Sequence, residues 1–191
     1  MNARDPGVPE PTITTARLTL RAPEMRDADA WEAICRPIEV ARGTLRMPHP
    51  YPKGGAADWF NLNREARVRG ERCSFLMLDR DDTIVGMASL DIAPEHRHAE
   101  LGYTVAMDHW GKGYATEAAR AVVDFGFQSL DLVRIHAGYY LSNPASGRVL
   151  EKLGFVHEGT RPKFYLRLGE WMDLALMRLL REEWDALRER R

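Results

Sequence analysis

The chain has 191 residues, with 45% hydrophobic and 29% charged side chains, which suits one ordinary domain with a sizeable core and excludes a chain disordered throughout. Its 27 Lys and Arg nearly balance 28 Asp and Glu, giving a net charge of −1. That balance removes the whole-protein basic field of a simple nucleic-acid binder and predicts no direct nucleic-acid partner.

Residues 1–13 read as a flexible arm, because Pro6, Pro9 and Pro11 block regular pairing. This stretch has no apolar run and is not a signal peptide. Residues 14–191 read as a single domain. Arg17 to Arg21 alternates polar and apolar, as a half-buried strand does. Pro23 leads into a predicted helix over 27–35, with Ala30, Trp31 and Ile34 on one face. The two cysteines, Cys35 and Cys73, form no CxxC and read as reduced, buried thiols. Residues 36–55 are rich in Pro and Gly and read as a loop. A helix over 56–69 places Trp59, Phe60 and Leu62 on or near one face and stops at Gly70. Three strands follow, over 73–78, 83–90 and 99–106, with a turn at 79–82 and a charged loop at 94–98.

From Trp110 the period changes. Gly111 to Ala115 is a glycine-containing turn, and 116–127 is a helix with Ala118, Ala119, Val122 and Phe125 on one stripe. A strand over 132–137 precedes Asn143-Pro144, a helix start in which Asn caps and Pro fills the first turn. That helix ends at Gly154. Segments 155–157 and 171–178 finish the sheet, and 181–191 reads as a short exposed helix. Nothing approaches the ~20 apolar residues of a membrane span, so the expected address is cytoplasmic, with no membrane partner. Strands alternating with helices after a meander give the α/β (α+β) class, a mixed central sheet of about six to seven strands flanked by helices.

The turn Gly111-Lys112-Gly113-Tyr114-Ala115-Thr116 carries the first chemistry. It joins a strand to a helix N-terminus, where backbone amides are unpaired and the helix dipole is positive. Phosphate is the expected guest, and Lys112 adds a point charge. GxxxxGK[ST] is absent, and the third glycine of GxGxxG is replaced by Thr116. From spacing alone, a phosphate site and a plain structural turn both stay open.

The segments Ala99-Glu100-Leu101-Gly102-Tyr103, Trp110 to Ala118, Arg134-Ile135, Asn143-Pro144-Ala145-Ser146, Leu150 to Phe155, Glu158-Gly159 and Arg161 occur in an order that resembles the GNAT acetyltransferase superfamily. More narrowly they resemble its ribosomal-protein-alanine N-acetyltransferase branch, as do Thr15 to Arg21 and Gly169 to Asp173. The resemblance covers about residues 14 to 184. It implies the GNAT fold, with a splayed strand pair at an acetyl-CoA site, and acetyl transfer to a primary amine. The superfamily motif [QR]xxGx[GA] is matched by Gly113 and Ala115 but has Trp110 at its first position, which the backbone contacts tolerate.

The resemblance further implies that acetyl-CoA, as cosubstrate, lies against Tyr103, Val105 and Met107 of the splayed strand and against Trp110, Gly111, Lys112, Gly113, Tyr114, Ala115 and Thr116 of the turn. Asn143 and Ser146 complete that set. In the family's layout Glu100 accepts the amine proton, Asn143 lies near the thioester and Ser146 assists the departing thiolate. Asn143 as a helix cap alone, Glu100 as a solvated strand carboxylate and Ser146 as a plain helix residue are the alternatives. An α-amine of pKa about 7.7–8.0 costs only ~1 kcal/mol to deprotonate at pH 7, whereas a lysine-type amine costs roughly 4–5 kcal/mol.

A protein N-terminus is the expected acceptor by branch resemblance. A small amine (a polyamine, an amino acid or an antibiotic) is the alternative, and a silent acyl-CoA-binding module is a second. An acidic cleft built from Glu95, Glu100, Glu158 and Asp173 would favour polycations. Tyr51 and Trp59 are candidates for the acceptor pocket. His96 and His98, near Glu95, have no downstream ligand at a familiar spacing, so no metal is expected. His109 and His136 read as structural or solvent-facing. A homodimer is implied by the family only.

Overall fold

The computed structural model describes residues 11–190. In chain order the elements are β1 (Ile13–Thr14), β2 (Thr19–Arg21), α1 (Ala28–Cys35), α2 (Ile38–Arg42), α3 (Gly55–Val68), β3 (Arg72–Leu78), β4 (Ile84–Ala93), β5 (His98–Val105), α4 (Tyr114–Ser129), β6 (Arg134–Tyr140), α5 (Pro144–Leu153), β7 (Val156–Arg167), β8 (Glu170–Leu180) and α6 (Arg181–Glu189). The strands form one sheet in the order β1-β2-β3-β4-β5-β6-β8-β7. Every neighbouring pair is antiparallel except β5 and β6, which are parallel.

Period-two alternation sorts the core into two layers. Phe75, Ala88, Leu90, Leu101 and Ile135 point to one face and pack with Ala118, Val122 and Phe125 of α4, Leu150 of α5 and Trp184 of α6. Leu76 and Met87 point to the other face, with Trp31 and Cys35 of α1 and Ala56 and Phe60 of α3. Each fully buried Leu, Ile or Phe contributes about 1.5–3 kcal/mol, so both layers hold the middle of the sheet firmly.

β5 and β6 pair at only three positions: His98 with Arg134, Ala99 with Ile135 and Glu100 with His136. β5 continues to Val105 and β6 to Tyr140 without further pairing. The strands therefore splay beyond Glu100, as the resemblance implied. Their facing peptide groups line a cleft instead of completing a ladder.

Several expectations are corrected. Among the described residues the sheet has eight strands, where about six to seven were expected. Ile13, expected in the arm, pairs with Leu20; residues 1–10 lie outside the described residues. β7 runs far beyond the expected 155–157, because an edge strand exposed along most of its length carries no apolar alternation to read. α2 lies inside the expected loop, a five-residue helix too short to show a period. Leu62 is exposed, and α3 turns Ala56, Phe60 and Asn63 inward instead. α6 is not simply exposed: Trp184 is buried and its Nε1 donates to Asp124 Oδ1 at 2.6 Å.

Candidate active site

The turn after β5 reaches α4 through two left-handed residues, Gly111 at φ +73° and Gly113 at φ +83°. A side chain at either would be strained there. Gly113 is the N-cap of α4, and no side chain caps that end. Among the described residues, no backbone acceptor takes the amides of Gly111 to Thr116; the first amide to turn back is that of Glu117, on the Gly113 carbonyl at 3.1 Å. The result is a run of open donors at the positive end of a 16-residue helix. Lys112, Tyr114, Ala115 and Thr116 all lie on this turn or on the first turn of α4. Trp110 is half exposed, and its Nε1 donates to the Val105 carbonyl at 2.7 Å. Trp110 thus fastens the end of β5 to the turn.

Met107 does not lie on the splayed strand itself. It lies past the end of β5 in a 3-10 turn over Met107–His109, and its carbonyl accepts from the Trp110 amide at 3.0 Å. Its backbone does not continue the strand edge that Tyr103 and Val105 belong to.

Glu100 stands where the strands part, in register with Asp91 on β4 and His136 on β6. Arg46 bridges Glu100 Oε2 at 2.8 Å and Asp91 Oδ2 at 3.1 Å. Arg72 also pairs with Asp91. His136 is half buried, and burial holds its pKa below the ordinary value, against the opposing pull of Glu100. His98 lies 5.3 Å from His136, ring to ring, so the two histidines floor the point of divergence.

Across the cleft, Asn143 caps α5: its side chain accepts from the Ser146 amide at 3.4 Å, and its Nδ2 reaches the Gly43 carbonyl at 3.4 Å. Capping is therefore one duty of Asn143. Ser146 faces Tyr103, whose hydroxyl donates to the Ser146 carbonyl at 2.9 Å and lies 2.8 Å from Ser146 Oγ. With its only proton on the carbonyl, the phenol accepts from the serine hydroxyl. Burial pushes the Tyr103 hydroxyl up to about 12, although the bond to Ser146 works the other way. Gly147 lets the helix press onto β6: a Cβ there would meet the Tyr139 ring at 2.6 Å.

The remaining candidates divide. Trp59 stacks on Trp31 at 6.3 Å and carries the Arg72 guanidinium at 6.0 Å, which places it beside the Glu100 row. Tyr51 packs in the α1–α3 layer with Cys35, and burial raises the pKa of both groups. Glu158 pairs with Arg134 at 2.8 Å, and Asp173 accepts from the Lys163 amide at 2.7 Å. Of the expected acidic residues, Glu100 and Glu158 are therefore paired with arginines. His96 stacks on His98 at 6.0 Å; among the described residues no group of three or more His, Cys, Asp or Glu is placed to hold a metal. His109 lies 5.8 Å from the Tyr114 ring. A groove of about 880 Å³ runs along α4 between Ile13 and Lys152 and touches Gly113 and Thr116. It is flanked by the outer side of α4 and does not enter the splay.

Sequence reading missed Arg17, Arg46 and the Tyr103 hydroxyl. Alternation along β5 is the signal that sends Tyr103 toward the helix side; the two arginines left no local signal.

A splayed parallel strand pair, an open amide turn at one helix start and a capped polar helix start across the cleft define an acyl-CoA-dependent transferase class. A model described as "Acetyltransferase (GNAT) domain" matches residues 17–156, and the chain belongs to the GNAT acetyltransferase family. It is similar to the uncharacterized N-acetyltransferase p20 of Bacillus licheniformis, 31% identical over 91% of this chain and 98% of that one. It is equally 31% identical to the [ribosomal protein uS5]-alanine N-acetyltransferase of Escherichia coli, over 93% and 94% of the two chains. In fold it resembles the spermidine N-acetyltransferase of Vibrio cholerae solved with CoA and spermine, at a TM-score of 0.79, 24% identity and coverage of 89% and 99%. The chain is an acetyltransferase enzyme, and acetyl-CoA and an amine are the reactants of its family. Among the described residues no helix is long and apolar enough to cross a membrane.

Proposed function

We propose that this acetyltransferase acts on a single α-amine, that of a protein N-terminus. The observation that carries this reading is the pairing of three carboxylates around the divergence point, Asp91, Glu100 and Glu158, with arginines. Glu100 and Asp91 are held by Arg46 and Arg72, and Glu158 by Arg134. A polycationic amine needs several unpaired carboxylates at once. A single α-amine needs one, and its deprotonation at pH 7 costs only ~1 kcal/mol.

The residues divide the chemistry. The open amides of Gly111 to Thr116, with Lys112, hold the CoA pyrophosphate, and the free edge of β5 at Tyr103 and Val105 receives the pantetheine arm. The amine nitrogen attacks the thioester carbon, its proton passes to Glu100, and the C–S bond breaks to release the thiolate. Arg46 must first leave Glu100. Arg46 is 63% exposed, and an ion pair of that kind contributes about 0–1 kcal/mol, so an incoming ammonium displaces it readily. The Ser146 hydroxyl, held beside Tyr103 in the resting site, turns its single proton from the phenol oxygen to the leaving sulfur as charge develops there. A phenol near 12 is a poor acid toward a thiolate of pKa about 8.5. The Tyr103–Ser146 pair therefore stabilises the thiolate by hydrogen bonding, without full proton transfer.

The test is thiol release from acetyl-CoA with a panel of N-terminal peptides, spermidine, amino acids and aminoglycosides. Peptides should lead spermidine in kcat/KM by about a hundredfold, in keeping with the roughly 3 kcal/mol deprotonation difference. A spermidine preference would move the acceptor to small amines.

A further inference from the structure

We propose that Arg17, on the turn between β1 and β2 and about 95 residues away in sequence, is a positioning residue for the CoA pyrophosphate turn. This inference rests on the assignment of that turn made above. Four contacts converge on this one side chain and its backbone. Its Nη1 donates to the Lys112 carbonyl at 2.8 Å, in the middle of the turn. Its Nε donates to Glu117 Oε2 at 2.7 Å, and its own amide to Glu117 Oε1 at 2.8 Å. Its guanidinium carbon sits 4.8 Å from the centre of the Tyr114 ring, within cation–π range. Thr15 completes the set by donating its hydroxyl to Glu117 Oε1 at 2.7 Å.

The charge arithmetic explains why the turn needs this clamp. Glu117 lies in the first turn of α4, 16% exposed and one residue past the run of open amides. Unpaired, it would repel the phosphates and compete for the amides that bind them. Arg17 neutralises it with the same guanidinium that reaches the Lys112 carbonyl. At the same time Arg17 pins the Lys112 carbonyl, so the peptides on either side present N–H groups outward. A lysine could supply the charge but not the fork and the stacked plane together.

The experiment measures KM and kcat with acetyl-CoA and with acetyl-pantetheine, which lacks the pyrophosphate, for wild type, Arg17→Met, Arg17→Lys, Glu117→Gln and the Met/Gln double variant. Arg17→Met should raise KM for acetyl-CoA about tenfold while kcat changes less than about threefold, since the lost contact acts on binding alone. KM for acetyl-pantetheine should not move. Glu117→Gln should stay within about twofold of wild type, and the double variant should recover part of the Arg17→Met loss, because the two residues are coupled. Arg17→Lys should fall between wild type and Arg17→Met. Equal losses with both acyl donors, or a double variant no better than Arg17→Met, would overturn the proposal. If Arg17→Met is too unstable to assay, the Arg17→Lys ratio between the two donors decides it in the same way. Loss of acetyl-CoA binding in a Gly113 variant with no effect at Arg17 would refute the clamp and leave the turn assignment standing. No effect at either position would refute the turn assignment itself.

Discussion

The two ends of the β5 cleft are built on opposite plans. At the α4 end, among the described residues, the backbone leaves a run of amide donors without backbone acceptors, and the first-turn carboxylate, Glu117, is already paired with Arg17. At the Glu100 end the backbone is fully paired with β4 and β6, and the side chains are closed by ion pairs to Arg46 and Arg72. Under the proposed assignment a phosphate meets a preformed site made of uncharged donors, and an amine meets a site that opens only by exchanging one cation for another. The difference teaches where selectivity would arise on that proposal: the anionic cosubstrate held by backbone geometry, the acceptor chosen by a competition between cations.

The largest expected effect breaks the amine end. Glu100→Gln should lower kcat about a hundredfold, the usual scale for losing a general base, while KM for acetyl-CoA stays within about twofold. Steady-state thiol release reads both. If Glu100→Gln and Ser146→Ala each leave the rate unaltered, the roles given to these residues are wrong.

A smaller effect sharpens the comparison. Arg46→Ala should raise kcat/KM for amines about threefold, because the ion pair it removes is exposed and weak. Dicationic small amines should gain more than peptides. A drop of tenfold or more would instead make Arg46 a contact for the acceptor.

The α4 end carries a pH signature. Burial disfavours the Glu117 charge, but hydrogen bonds from Thr15 and Arg17 outweigh it and hold its carboxyl below the ordinary value of 4.5. The unfolded chain then binds this proton more tightly than the folded one. The stabilisation is complete above pH about 4.5 and is lost as pH falls through the lower folded value. Chemical denaturation across that range should show a shallower acid slope for Glu117→Gln than for wild type.

The smallest effect concerns the thiols, which lie away from both ends. Cys35 and Cys73 are buried, and burial pushes each to about 12. Iodoacetamide near pH 8 should leave both unmodified until denaturant is added. Rapid labelling of Cys35 in the native protein would show that the α1 layer opens.

Legibility in the sequence followed locality. The cap at Asn143, the stop at Gly154 and the glycine turn before α4 are written in adjacent residues and were found where the structure has them. A continuous apolar run marked β3, and the turn and charged loop that bound them marked β4 and β5, because each strand is buried on at least one face. β7 was shortened in the reading because it is an exposed edge interrupted near Pro162 by shifts of register. Arg17 and Arg46 act across about 100 and 54 residues of chain, and no window of sequence holds both partners. The roles of Glu100 and Ser146 came from family resemblance, and the pairings that qualify those roles came from the geometry.

The claim that most needs testing is that the turn at Gly111 to Thr116 holds the cosubstrate's pyrophosphate. Calorimetric titration of acetyl-CoA into the wild type and into Gly113→Glu, with folding of both checked by circular dichroism, tests it directly. Submillimolar binding to the wild type and loss of measurable binding in the variant is the predicted result. Unchanged affinity in a folded Gly113→Glu protein would contradict it.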